Sequence, residues 1–363
     1  MAACRLCLMT AHEFAVNFAE SETLGYLGAD WIEAHCSVPD GFDKGRPFIP
    51  SDWQLQIILN HYRVKRSAKW NPDRILLAPA FTYRRSQVVA PQKTGKGPLA
   101  AAFTALEAAG PIVFGGWAEG GEVYDCRNHG CGCGFMYEYE PGDAMGIPRN
   151  TSLIQLVATS EEQVDNVYRP LQAMIRSGPL DVFMKTGEQF VRLPNDGKIE
   201  AVTSSAQSRL GNPINFANFD ETGIYTIQNK MVRVAETMRR GLAGMGGRSI
   251  EWTNPWDPAE NSTAQRTYES RSTDIYKFYR KPPTELSYKN ARDRRRIHRY
   301  VYEGSPWVDL DAIEAEAAEL METDPAQAER FYGNRIVHGM GSWLKDGLWD
   351  AAYAAEALAS KPA

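Results

Sequence analysis

Residues 86–110 read SQVVAPQKTGKGPLAAAFTALEAAG, and this stretch sets the expected fold: a short strand, a tight glycine turn and an Ala-rich helix. Gln87, Val88 and Val89 favour a strand. Gly95, Lys96 and Gly97 supply the turn, and Pro98 sits in the first helical turn, where its missing N–H costs little. A turn of this kind aims backbone N–H groups and a helix N-terminus at one point, which favours an anion. The run from Ala90 to Gly97 matches the phosphate-loop pattern GxxxxGK[ST] at Gly95 and Lys96 only. Ala90 stands for the first glycine, and Gly97 stands where the Mg²⁺-binding hydroxyl belongs. Taken alone, the turn reads equally well as a plain strand-to-helix connection.

The 363 residues are 43% hydrophobic and 23% charged, enough for a large core and for one large domain with a smaller one. With 40 Lys and Arg against 45 Asp and Glu, the net charge is −5. No global positive field therefore draws the chain to nucleic acid, and any such contact must come from local patches. Six cysteines, Cys4, Cys7, Cys36, Cys126, Cys131 and Cys133, occur without a secretory leader pattern, since Glu13 and Glu20 interrupt the apolar start. The expected setting is intracellular and reducing, with thiols or a metal in place of disulfides. No apolar run approaches the roughly 20 residues that span a bilayer, so a soluble protein with no membrane partner is expected.

Residues 1–46 read as an N-terminal extension of short helical stretches. A helix follows from Ser51 or Asp52, then a strand at 74–78 (RILLA), the opening stretch, and another strand at 111–114. A Gly-rich insertion near 115–150 contains a hairpin over 123–139 with a Cys/His tip. The apolar run 153–158 reads as a strand of a covered parallel sheet, and Ser160 with Gln163 has capping-box spacing at the next helix start. Asn195-Asp196-Gly197 predicts a hairpin over 190–203. A strand over 214–219 ends at Asp220-Glu221, a helix spans 228–240, and a strand over 248–252 precedes Thr253-Asn254. Strands alternating with helices predict an α/β layer architecture. After about residue 260 the chain is rich in Arg, Tyr and Glu, with helices expected at 310–321 and 325–337.

Several groups suit nucleotide chemistry, and each has a plainer reading. Nucleotide hydrolysis needs a phosphate cradle, a carboxylate for Mg²⁺ and a group that orients water. Asp220 would hold the metal and Glu221 would polarise the water; as a plain alternative the pair opens a helix at the surface. Asn215 and Asn218 make their strand less apolar than a buried central strand should be. Trp53-Gln54 suits adenine, by stacking and by a bidentate amide, or is a buried Trp beside a helix-start Gln. Cys126-x2-His129-x-Cys131-x-Cys133 offers four zinc ligands in eight residues, or free thiols on a hairpin. Thr253-Asn254 senses a γ-phosphate or makes a turn. Arg209 acts in trans as an arginine finger or faces solvent. The basic run 289–299, KNARDRRRIHR, is a solvated helix face or a phosphate-contacting surface.

These segments together resemble the ATPase portion of the tailed-bacteriophage terminase large subunit, of the actinobacterial-phage type. The carriers are PFIPSDWQ at 47–54, VVAPQKTGKGPL at 88–99, LIQLVATSEEQVDNVYRPLQAMI at 153–175, VTSSAQSRLGNPINFANFDETG at 202–223, EWTNPWDP at 251–258 and QAERFYGNRIVHGMGSWL at 327–344. The resemblance implies an ASCE-type phosphate-loop NTPase with a central, mostly parallel sheet over 47–260. Residues 261–363 would form a small lid or linker leading towards a nuclease that is separate or missing. It also implies ATP and Mg²⁺ as cofactors, with Gln54 reading adenine beside Trp53. Pro91, Gln92, Lys93, Thr94, Gly95, Lys96 and Gly97 would line the phosphates, and Lys96 would act in catalysis. Asp220 would bind Mg²⁺, Glu221 would be the catalytic carboxylate, Thr253-Asn254 the coupling motif and Arg209 the trans-acting finger.

The implied protein is a motor subunit that hydrolyses ATP. It would form a ring on the portal protein with the small terminase subunit and drive double-stranded DNA into the procapsid in the host cytoplasm. A helicase-like translocase and a non-catalytic adaptor with a decayed site are the rival readings. Gly97 departs from the family pattern, leaving Mg²⁺ to Asp220, phosphates and water, with help from Thr94. On that reading, Gly97→Ser alters the Mg²⁺ dependence of hydrolysis.

Overall fold

A sheet of eight strands organises the computed structural model, which describes residues 16–75, 77–203 and 212–339. Helices α1 (Gly25–His35) and α2 (Asp52–His61) precede β1 (Arg85–Val89), which turns into α3 (Lys96–Ala109). Strands β2 (Val113–Trp117), β3 (Val123–Asp125), β4 (Met136–Glu138) and β5 (Ala144–Ile147) form two small antiparallel pairs, β2 with β5 and β3 with β4. The chain then returns to the main sheet through β6 (Leu153–Val157) and α4 (Glu161–Ser177). Next come β7 (Lys185–Thr186), β8 (Phe190–Arg192), β9 (Lys198–Val202) and β10 (Phe216–Asp220). Helix α5 (Met231–Gly244), β11 (Arg248–Thr253), α6 (Thr263–Glu269) and β12 (Ile275–Tyr279) complete the sheet layer, and α7 (Ala291–Val301), α8 (Leu310–Thr323) and α9 (Pro325–Phe331) follow.

The strand order is β12-β1-β11-β10-β6-β9-β8-β7. From β12 to β9 every pairing is parallel, and β9-β8-β7 is antiparallel. The β8–β9 hairpin turns through Asn195 and Asp196, both with positive φ (54° and 61°), as the Asn-Asp-Gly signal predicts. Strands β10 and β11 are buried along their whole length, as expected of central parallel strands covered on both faces.

The two asparagines of the β10 segment are accounted for by hydrogen bonds. Asn218 Nδ2 donates to the Ala100 carbonyl and Thr104 Oγ1 of α3, each at 2.9 Å, and its Oδ1 accepts from Trp252 Nε1 of β11 at 2.8 Å. Asn215 bridges to the start of β6 through Leu153 N and the Thr151 carbonyl. Such fully paired amides fix strand and helix positions that apolar side chains would leave looser.

Helix α3 is buried on nearly every side, which its alanines permit by keeping the helix thin between the sheet, α1 and α4. Helix α1 contributes Leu27, Trp31 and Ile32 to the main core, so this part of the segment 1–46 packs against the body built around the sheet. Strand β12, beyond residue 260, likewise joins the sheet beside β1. As an edge strand it is only partly buried, although Ile275, Tyr276, Phe278 and Tyr279 are all strand formers. A separate small core that includes Tyr288, Ile297, Val301, Ile313 and Ala328 holds α7, α8 and α9 together.

Two expected elements differ. Among described residues, the 74–78 stretch contains no strand; Ala78 begins a 3-10 turn to Ala80, where Pro79 lacks the N–H that a ladder needs. The helix expected over 325–337 stops at Phe331, just before Gly333 and the left-handed Asn334.

Candidate active site

Strands β1, β11 and β10 are neighbours that all run the same way, so their C-terminal ends emerge along one edge of the sheet. Loop 90–97, Thr253-Asn254 and Asp220-Glu221 leave from those ends. In an open parallel sheet this edge is where ligands bind.

The loop backbone alternates hand: Lys93 has φ 65° and Gly95 φ 88°. Successive N–H groups in such a turn form an anion-binding concavity. Lys96, the first residue of α3, is buried, and its Nζ donates to the Ala90 carbonyl at 2.9 Å, the Pro91 carbonyl at 2.7 Å and Asn254 Oδ1 at 2.7 Å. Burial pulls this ammonium below its usual value, while Glu221 and Asp220 oppose the shift. The Thr94 hydroxyl donates to the Pro91 carbonyl at 2.9 Å, bracing the loop.

Asn254 ties the lysine to the acidic pair. Its Nδ2 donates to both carboxylate oxygens of Glu221 at 3.2 and 3.3 Å, and its backbone N–H reaches Oε2 at 3.4 Å. Glu221 is held in the left-handed region, φ 54° and ψ 48°, an uncommon backbone for a residue with a Cβ. Thr253 Oγ1 accepts from Gly223 N at 2.8 Å and donates to the Asn254 carbonyl at 2.7 Å. Burial pushes the Asp220 carboxyl up to about 7, with the Glu221 carboxylate adding to the shift and Lys96 opposing it. A buried cation and two crowded carboxylates thus face one another across an amide, a set suited to phosphate oxygens and a divalent cation.

Gly97 has a packing cause. A Cβ there would lie 2.8 Å from the Asn166 carbonyl of α4. Position 97 therefore has no room for the hydroxyl-bearing side chain of the phosphate-loop pattern while α3 and α4 pack this closely.

Trp53 and Gln54 begin α2 beside this loop. Gln54 Oε1 accepts from Ser51 N at 2.9 Å and completes a capping box, so the plainer helix-start role is present in the structure. Trp53 lines a cleft with Ala90, Pro91, Thr94, Phe278 and Arg280, and its Nε1 donates to Ser305 Oγ at 3.2 Å. Sequence reasoning missed Phe278, Arg280 and Trp307. The Trp307 ring lies over Gly95, where a Cβ would sit 3.1 Å from Cζ2. Gln92 N donates to the Phe331 carbonyl at 2.8 Å, so the C-terminal helical group touches the loop at a second point. A half-exposed Trp in a loop carries no sequence signal for that contact.

The remaining expected residues separate. Arg209 lies outside the described residues. Run 289–299 forms most of α7 and is mixed: Arg294 is buried against Glu314 at 2.7 Å, whereas Arg292, Arg295, Arg296 and Arg299 are exposed. The cysteine cluster needs a correction. Cys126, Cys131 and Cys133 converge, but His129 stacks on Tyr124 with ring centroids 5.1 Å apart, and the imidazole among the sulfurs belongs to His35 of α1. The reason is geometric: His129 ends the 3-10 turn at the tip, while the C-terminal end of α1 runs beneath it. No helix among the described residues is long and apolar enough to cross a membrane.

No family model matches the chain. It is 21% identical over 380 aligned positions to the Gene 13 protein of Mycobacterium phage D29, spanning 92% of this chain and 58% of that one. To the Gene 13 protein of Mycobacterium phage L5 it is 22% identical over 277 positions, spanning 69% and 41%. The chain thus spans about half the length of these curated relatives. Its fold is similar to the crystal structure of the HK97 bacteriophage large terminase, with a TM-score of 0.59 and 17% identity over 86% of this chain and 55% of that one. The mostly parallel sheet flanked by helices is the fold of that protein's matched part.

Proposed function

We propose that the chain is the ATPase portion of a phage terminase large subunit, a motor subunit that hydrolyses ATP to move double-stranded DNA into a procapsid. The observation that carries this reading is the Lys96–Asn254–Glu221 bridge at the shared strand edge, within a fold similar to that of a large terminase.

The residues fit the cofactors. All three oxygens that Lys96 Nζ donates to are uncharged, so the buried ammonium is suited to phosphate oxygens. Burial, and after it the Glu221 charge, raises Asp220, and a bound divalent cation would favour the ionised carboxylate there. Bound MgATP supplies the phosphoanhydride and the charge that neutralises it. Within the site, Lys93, Thr94, Gly95 and Gly97 present backbone N–H groups to the phosphates, Pro91 and Gln92 shape the loop through their bonds to Lys96 and Phe331, and Lys96 holds the phosphate charge. Asp220 holds Mg²⁺. Glu221 orients a water and receives its proton, and Asn254 fixes the carboxylate relative to Lys96 with Thr253 bracing it. Trp53 lines the base side of the cleft, with Gln54 next to it at the start of α2.

In this reading the ATPase unit, expected over 47–260, also takes in α1 and runs on through β12, the 115–150 insertion carries the cysteine hairpin, and the helices after β12 are the lid. Arg209 acts on a neighbouring subunit of a ring that assembles on the portal with the small terminase subunit, in the host cytoplasm. The test is ATP hydrolysis by the purified chain with and without double-stranded DNA and portal. DNA-stimulated hydrolysis that Lys96→Ala abolishes supports the motor; hydrolysis unaffected by that change removes it.

A further inference from the structure

We infer that His35, Cys126, Cys131 and Cys133 bind one zinc ion in a closed, four-ligand structural site that staples the β3–β4 hairpin to the end of α1. His35 Nε2 lies 3.2 Å from Cys126 Sγ, 3.5 Å from Cys131 Sγ and 3.2 Å from Cys133 Sγ. All four ligand atoms fall within 4.8 Å of one another. Tetrahedral zinc with Zn–S of about 2.3 Å and Zn–N of about 2.0 Å places sulfur and nitrogen about 3.5 Å apart. The three nitrogen–sulfur distances are therefore within a few tenths of an ångström of the spacing zinc imposes.

Independent features prepare the imidazole. His35 Nδ1 lies 2.8 Å from the Trp31 carbonyl, which fixes the proton on Nδ1 and turns the Nε2 lone pair towards the three sulfurs. Trp31 stacks on the ring at 4.2 Å and Phe135 meets its edge at 5.6 Å, so the ring cannot swing away. On the hairpin, Gly130 (φ 82°) and Gly134 (φ 80°) turn the chain so that Cys126, Cys131 and Cys133 point to one place. Phe135 N donates to Cys133 Sγ at 3.4 Å and so orients that sulfur.

The hairpin needs such a staple. Each of its strands is three residues long, and an isolated two-stranded hairpin of that size is marginal in water. Four protein ligands leave no open position for a substrate, so the site is structural and stands apart from the hydrolysis reading.

The test uses the whole chain purified without chelator from zinc-supplemented medium. One zinc per chain is expected by elemental analysis, released as an organomercurial titrates the thiols. Cobalt exchange should give the visible bands of a tetrahedral three-sulfur, one-nitrogen site. His35→Ala should lose the metal and His129→Ala should keep it, with circular dichroism confirming that both fold. Should His35→Ala fail to fold, Cys133→Ser at the exposed ligand and the wild-type thiol titration decide the matter. A chain that stays zinc-free after zinc addition, that carries a Cys–Cys disulfide instead, or that loses zinc on His129→Ala but not on His35→Ala overturns the assignment.

Discussion

Asn254 accepts a 2.7 Å hydrogen bond from Lys96 across 158 residues of sequence, and the other end of the same amide holds Glu221. The state of the lysine and the position of the carboxylate are thereby joined through one side chain. Asn254→Ala should lower ATP hydrolysis by about 10²-fold, the usual scale for losing a positioned polar group, with little change in Tm. Asn254→Asp should be at least as damaging, because it pairs with Lys96 but repels Glu221. Steady-state phosphate release beside thermal unfolding separates the two effects.

Gly97 offers a packing test. With the Asn166 carbonyl 2.8 Å from a Cβ at this position, Gly97→Ser and Gly97→Ala should both destabilise the fold, by about 1–3 kcal/mol for overpacking. The loss should be similar with and without Mg²⁺. An unchanged Tm in both variants contradicts the packing account and restores the reading in which only the metal notices position 97.

Trp307 over Gly95 should report nucleotide entry. Addition of MgATP should change tryptophan fluorescence, and Trp307→Phe should remove most of the change although eight of the nine tryptophans remain. An equal change in the variant places the signal elsewhere, Trp53 being the next candidate.

His61 and Glu107 set an acid limit on stability. Burial lowers His61 from 6.5 to about 4, so the folded chain holds it neutral; this contribution is complete above about 6.5 and is lost as pH falls towards about 4. Burial pushes the Glu107 carboxyl up, but its bond to His61 and the Arg149 and Arg248 charges outweigh this and hold it down to about 2, so its contribution is present above about 4.5 and lost as pH falls towards about 2. At full expression the His61 shift is worth ~3 kcal/mol. Chemical denaturation at pH 7 and pH 5 should show the loss, and His61→Gln should flatten it.

What the sequence disclosed follows from where the information is local. Gln87-Val88-Val89 with Gly95 and the Asn195-Asp196-Gly197 turn act within a few residues and appear as read; Ser160 caps Gln163 N as the spacing predicts, while the Gln163 side chain returns to Thr159 instead of Ser160. The zinc-type cluster was half legible: three cysteines are close in sequence, but the histidine comes from a helix about 90 residues earlier. Asn218 looked wrong for a central strand because its partners, Thr104 and Trp252, lie on other elements. Gly97 departs from the phosphate-loop pattern for a reason that lies on α4, beyond the reach of the local sequence.

The most direct measurement of the central claim is ATP hydrolysis and ATP binding by the wild-type chain and by Glu221→Gln in the presence of double-stranded DNA. The account expects hydrolysis to fall by about 10²-fold or more, as for loss of a water-orienting carboxylate, while ATP still binds. Hydrolysis at the wild-type rate in Glu221→Gln contradicts it.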